Sequence, residues 1–107
     1  MKGIKRMTVK EWVDNFAPET IEAVKSFLTT GCLQHVTCGD KGYFDAEFEV
    51  EGDIVFAEVT LDANGRVEDM YCNCNIGFCI HLAAMLWQIN SGAVIYTEYS
   101  VETEGLV

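Results

Sequence analysis

Residues 67–89 read VEDMYCNCNIGFCIHLAAMLWQI, and this stretch decides the fold. Four ligating side chains fall inside it, Cys72, Cys74, Cys79 and His81, in the pattern C-x-C-x4-C-x-H. On an extended segment, side chains at i and i+2 point the same way, so Cys72 and Cys74 at a strand end present two sulfurs to one point. Cys79 and His81 are also two apart, but a helix would send them to nearly opposite faces. The spacing therefore places Cys79 just before a helix and His81 inside its first turn. There the free amides and the helix dipole favour thiolates. Asn75, Ile76, Gly77 and Phe78 form a short return loop, and Gly77 permits its sharp turn. Four soft or borderline ligands this close together suit one tetrahedral zinc with no open coordination position, a site that builds structure rather than doing chemistry. An iron–sulfur cluster fits less well, because His ligation there is a special case. A redox dithiol fits poorly too, because the chain has no C-x-x-C.

The rest of the fold reads outward from this junction. Downstream, residues 82–90 have helical spacing: Leu82, Leu86 and Ile89 share one side, with Ala83 and Trp87 beside it. Gly92 stops that helix. Upstream, residues 33–38, 43–50, 54–61 and 66–72 read as strands. Phe44, Ala46, Phe48 and Val50 alternate with Asp45, Glu47, Glu49 and Glu51. Val55, Ala57, Val59 and Leu61 then oppose Ile54, Phe56, Glu58 and Thr60. The Gly52 turn and the Asn64-Gly65 turn join these runs into an antiparallel meander whose carboxylates are expected to form a solvated face, an acidic docking surface being the alternative. Further upstream, Thr8 and Glu11 make a capping box for a helix over 8–16 with the stripe Val9, Trp12, Val13 and Phe16. Pro18 opens a second helix over 18–29, with the stripe Ile21, Val24, Phe27 and Leu28 and a stop at Gly31. The tail, 93–107, contains a β-like run over 94–99 that reads either as an edge strand or as a loose terminus. The expected class is α+β: two N-terminal helices, a three- to four-stranded antiparallel sheet, and a zinc knuckle leading into a helix packed on the sheet. One domain covers 1–107, with a helical part over 8–30, the sheet, knuckle and helix over 33–91, and a tail over 92–107.

A length of 107 residues, half of them apolar, suits a single domain with a modest core. The longest apolar run is far short of a membrane span. The basic start leads into no signal-peptide core, so the expected compartment is the cytoplasm. In that reducing setting, five cysteines, an odd number, read as metal ligands before disulfides. The net charge is −10. Its distribution is sharper than the total, because Lys2, Lys5, Arg6 and Lys10 lie in the first ten residues. From residue 11 onward only Lys25, Lys41 and Arg66 stand against 17 acids. Nucleic-acid affinity rests on phosphate neutralisation, and this field opposes it. Cys32, His35 and Cys38 form a second constellation. On one strand the two thiols share a face and His35 opposes them, so core thiols with an exposed His are expected, a second metal site being the alternative. No serine or thiol nucleophile has a credible base, and no glycine loop cradles phosphate. Catalytic residues are accordingly expected to be absent, and the protein is not expected to be an enzyme.

The ligand pattern resembles that of the SWIM zinc-finger family, whose signature is C-x-C, a variable spacer, then C-x-H. The family places antiparallel strands before the first pair and starts a helix at the second. Cys72, Cys74, Cys79 and His81 match its four metal ligands, and the likeness covers about residues 43–90. A weaker likeness reaches further back. A helix ending in Gly31 and followed by strands is similar to the segment that leads into this finger in bacterial SWI/SNF-type helicase-like ATPases. Members often carry Lys beside the last His, where this chain has Ile80. The resemblance implies one structural zinc and a module that binds protein, alone or as part of a larger ATPase or transposase system. Two other readings stand beside it: a nucleic-acid-binding finger using residues 1–10 as a basic arm, and a thiol redox sensor acting through Cys32 or Cys38.

Overall fold

The structure is a computed structural model that describes residues 6–39 and 42–96. Thr8 caps the first helix, α1 (Val9–Asp14). Its hydroxyl accepts from the Glu11 amide at 3.1 Å, and the Glu11 carboxylate accepts from the Thr8 amide at 2.9 Å. This is the reciprocal box expected from the sequence, but α1 stops at Asp14 rather than at residue 16. Asn15 caps the earlier end, its side-chain amide donating to the Glu11 carbonyl at 2.8 Å, and Ala17 is extended ahead of Pro18. Pro18 then opens α2 (Pro18–Thr29), which runs over the expected residues.

The chain next forms β1 (Leu33–Cys38), β2 (Tyr43–Val50), β3 (Asp53–Leu61) and β4 (Val67–Cys72). Glu51 and Gly52 connect β2 to β3 with positive φ angles of 53° and 87°. That is the geometry of a two-residue hairpin turn whose twist matches its flanking strands. Between β3 and β4, the Asp62 carboxylate accepts from the amides of Asn64 and Arg66 and closes the turn. The first of these amides to count is that of Arg66, which with Asn64 and the Arg6 guanidinium outweighs burial and holds the Asp62 carboxyl below the usual carboxylate range. Two elements follow, α3 (Ile80–Ser91) and β5 (Val94–Tyr96). Residues 97–107 lie outside the described residues, so the β-like run over 94–99 is seen only as far as Tyr96.

The sheet departs from expectation. It has five strands in the order β4-β3-β2-β1-β5, and β5 pairs parallel to β1, with Val36 opposite Val94 and Thr37 opposite Ile95. An antiparallel sheet of three to four strands accounts for β1–β4 alone. The parallel edge escapes local reading because β5 is three residues long and its partner lies far upstream, across the whole meander and α3.

Burial follows the alternation. Phe44, Ala46 and Phe48 of β2 and Ala57 and Val59 of β3 are buried together with Val36. On α3, all five residues from Leu82 to Leu86 are buried. A helix buried all round is a core helix. Here α3 packs against β1, β3 and β4 and also against α1 and α2. It packs on the sheet as expected, and the two N-terminal helices cover it as well. The metal-ligand stretch thus enters directly into the centre of the core.

Candidate metal centre

The C-x-C segment is pinned to β3 by its middle residue. The Asn73 amide donates to the Phe56 carbonyl at 3.0 Å, and its side-chain oxygen accepts from the Phe56 amide at 3.1 Å. Asn73 therefore extends the β3–β4 ladder by one residue while Cys72 and Cys74 point inward. The loop then reverses. Asn75 and Gly77 take positive φ angles of 59° and 80°, conformations that suit these two residue types. Phe78 closes the loop against the N-terminal helices, its ring centroid 5.1 Å from Trp12 and 6.1 Å from Phe16. Cys79 is the N-cap of α3, with its carbonyl accepting from Ala83, and His81 is in the first turn. This is the arrangement read from the spacing.

The four donor atoms converge. The sulfurs of Cys72, Cys74 and Cys79 and a ring nitrogen of His81 all lie within 4.8 Å of one another. The Cys72 sulfur is 3.6 Å from His81 Nδ1. A tetrahedral centre with Zn–S of ~2.3 Å and Zn–N of ~2.0 Å requires a sulfur–nitrogen edge of about 3.5 Å. The Cys72–His81 edge matches that value, the four donors are gathered closely enough for one four-coordinate ion, and a three-thiolate, one-imidazole set is of the kind that suits zinc.

Protonation within the cluster is unequal. Burial pushes the Cys72 thiol up to about 12. Burial acts on Cys74 in the same sense but is outweighed by the Ile76 amide and the neighbouring thiols of Cys72 and Cys79, all donating to its sulfur, so Cys74 falls below the ordinary thiol value. Burial also lowers His81, which keeps the imidazole neutral with a lone pair to offer.

The His81 ring is held by two aromatics that the sequence places only in core stripes. Phe27 of α2 approaches it edge-on with centroids 5.5 Å apart, and Phe48 of β2 lies at 5.3 Å. Ile80 lies beside it in a groove with Glu19, Thr20, Ala23 and Phe78. The position where the resemblance leads one to expect a cation thus packs against α2.

The second constellation is not gathered. Among the described residues, Cys72, Cys74, Cys79 and His81 are the one Cys, His and carboxylate group close enough to hold a metal. Cys32 and Cys38 pack against the core, while His35 is exposed. Of the basic arm, Arg6 bonds Asp62 at 3.2 Å and Lys10 bonds Asp14 at 2.8 Å. The backbone beside them joins the sheet edge, the Val67 amide donating to the Met7 carbonyl. Lys2 and Lys5 lie outside the described residues. No helix among the described residues is long and apolar enough to cross a membrane.

Compared with protein-family models, curated proteins and solved structures, the chain gives no significant match. The likeness to SWIM fingers rests on the ligand pattern and on the strand-to-helix geometry around it.

Proposed function

We propose that this chain is a non-enzymatic, SWIM-type module, a single domain in which one structural Zn2+ fixes the junction between β4 and α3 and the surface binds protein. The observation that carries the reading is the convergence of four donor atoms from Cys72, Cys74, Cys79 and His81 within 4.8 Å. A strand end and a helix start contribute two ligands each, and they do so where the chain enters the buried helix α3. Bound zinc supplies a cross-link and, with four protein ligands, keeps no position for substrate. Asn73 and the Phe27–Phe48 clamp hold the donors in register, and the Ile76 amide stabilises the Cys74 thiolate.

Charge favours protein over nucleic acid as the partner. The two described cations of the basic arm are already paired with carboxylates of the same chain, and Ile80 offers no cation beside the last ligand. The cytoplasm, where thiols stay reduced, suits a three-thiolate site. Elemental analysis of purified protein tests the reading. One zinc per chain is expected, falling to none in a Cys74→Ser variant. A zinc-free chain that is folded as isolated contradicts it, and two zincs per chain would assign a role to Cys32, His35 and Cys38.

A further inference from the structure

Among the described residues, the helices pack on the side of the sheet that carries Phe48 and Cys72, and the other side is bare of them. That bare face has a defined chemistry. None of the five strands contains a Lys or Arg. Cross-strand pairs on it bring acids beside apolar groups: Glu49 opposes Ile54, and Glu47 opposes Phe56. One pair is of like charge, Asp45 opposite Glu58, with Tyr71 on the far side of Glu58. Like charges directly opposed destabilise a sheet. Burial, followed by the carboxylates of Glu58 and Glu47, pushes the Asp45 carboxyl up. Large apolar side chains also stand in solvent here: Ile54, Tyr71 and Ile95 are 56%, 46% and 52% exposed.

The face is also not flat. The β1–β2 register shifts between Leu33 and Val36. Beside this irregularity is a groove of about 330 Å³, whose walls include His35, Thr37, Asp45, Glu47 and Ile54. Nucleic acid and anionic membrane surfaces are repelled by such a face. A second copy docked through the same patch would bring two acidic arrays together. A cationic polypeptide instead relieves the Asp45–Glu58 repulsion and covers the exposed apolar groups.

We infer that the bare sheet face is the module's docking surface, and that its occupant is an extended Lys/Arg-rich segment of a partner protein. One cationic side chain enters the groove at Asp45 and Glu47, and apolar side chains lie over Ile54 and Ile95. This rests on the reading of the chain as a protein-binding module and names the partner chemistry.

The test uses the full zinc-loaded chain and a labelled synthetic Lys–Val peptide of repeating Lys-Lys-Val-Val, so that each face of the extended chain carries Lys and Val in turn. Two counterparts carry Glu for Lys or Ser for Val. Fluorescence anisotropy is expected to show binding of the Lys–Val peptide that weakens with added salt, with little binding of either counterpart. Glu47→Lys is expected to weaken binding by about tenfold or more, because it places like charge in the groove. Glu22→Lys, an equal charge change on exposed α2, should change it less than about twofold, since a remote surface charge acts only through the screened field. Ile54→Thr, which keeps a β-former at an exposed site, should weaken it several-fold. Equal effects of Glu47→Lys and Glu22→Lys would overturn the inference, as would tight binding of the Ser-for-Val peptide. Failure of the Lys–Val peptide to bind at low salt also overturns it. With zinc content intact, that failure leaves the metal-centred reading standing, whereas absent zinc counts against that reading and not against the sheet face.

Discussion

Replacing Cys74 with Ser removes one of the three sulfur donors, and His81→Ala removes the one nitrogen. Either variant is expected to lose bound zinc and about 2 kcal/mol or more of stability, because binding free energy is folding free energy in such sites. For a domain of this size that is a fall in Tm of about 8 °C or more. A melt within about 2 °C of the parent, roughly half a kcal/mol, would show that these side chains do not share a structural ion. Glu51 makes a prediction of opposite sign. It holds a φ of 53° in the β2–β3 turn, where a side chain other than Asn, Asp or Gly is strained. Glu51→Asn is expected to stabilise by about 0.5–1 kcal/mol in urea denaturation, and a loss of stability would contradict the turn geometry. The four ligands were legible because the i, i+2 spacing has one meaning on a strand and another at a helix start. The supports of the site were not. Asn73 matters through its register with Phe56, and Phe27 and Phe48 matter because α2 and β2 meet at His81. None of these relations is local in sequence.

Among the elements, α3 carries the sharpest consequence. Spacing assigned it one apolar side, yet Ala84 and Met85, off that side, are fully buried as well. An amphipathic reading undercounts a helix buried all round, because the small Ala positions look neutral in a stripe. Ala84→Leu separates the two pictures. A helix covered on one face only would accept the larger side chain, whereas a helix buried all round should lose about 1–3 kcal/mol to overpacking. Chemical denaturation reads the difference, and an unchanged midpoint would place Ala84 at a surface. The capping box of α1, the proline start of α2 and the β1–β4 meander followed directly from Thr8, Pro18 and the alternating strands. The fifth strand did not, because a three-residue parallel edge is specified by Val36 and Thr37 far upstream rather than by its own composition.

At the scale of the whole molecule, charge and metal act in opposite directions. A net charge of −10, with no cation in any strand, sets the body against itself. Added salt screens that repulsion, so Tm is expected to rise between low salt and about 0.5 M NaCl, where the Debye length falls below ~8 Å. A Tm that falls over this range would mean that ion pairs such as Arg6–Asp62 outweigh the repulsion among the acids. The metal is expected to offset that repulsion by tying the sheet's β4 edge to the central helix. The most direct test of this claim is the melting of the purified, zinc-loaded protein with and without a strong chelator, followed by circular dichroism at fixed salt. The account predicts that chelation lowers Tm by about 8 °C or more, the shift that ~2 kcal/mol produces at this size, and that added zinc restores it. An unchanged melting curve after zinc has been stripped would contradict it.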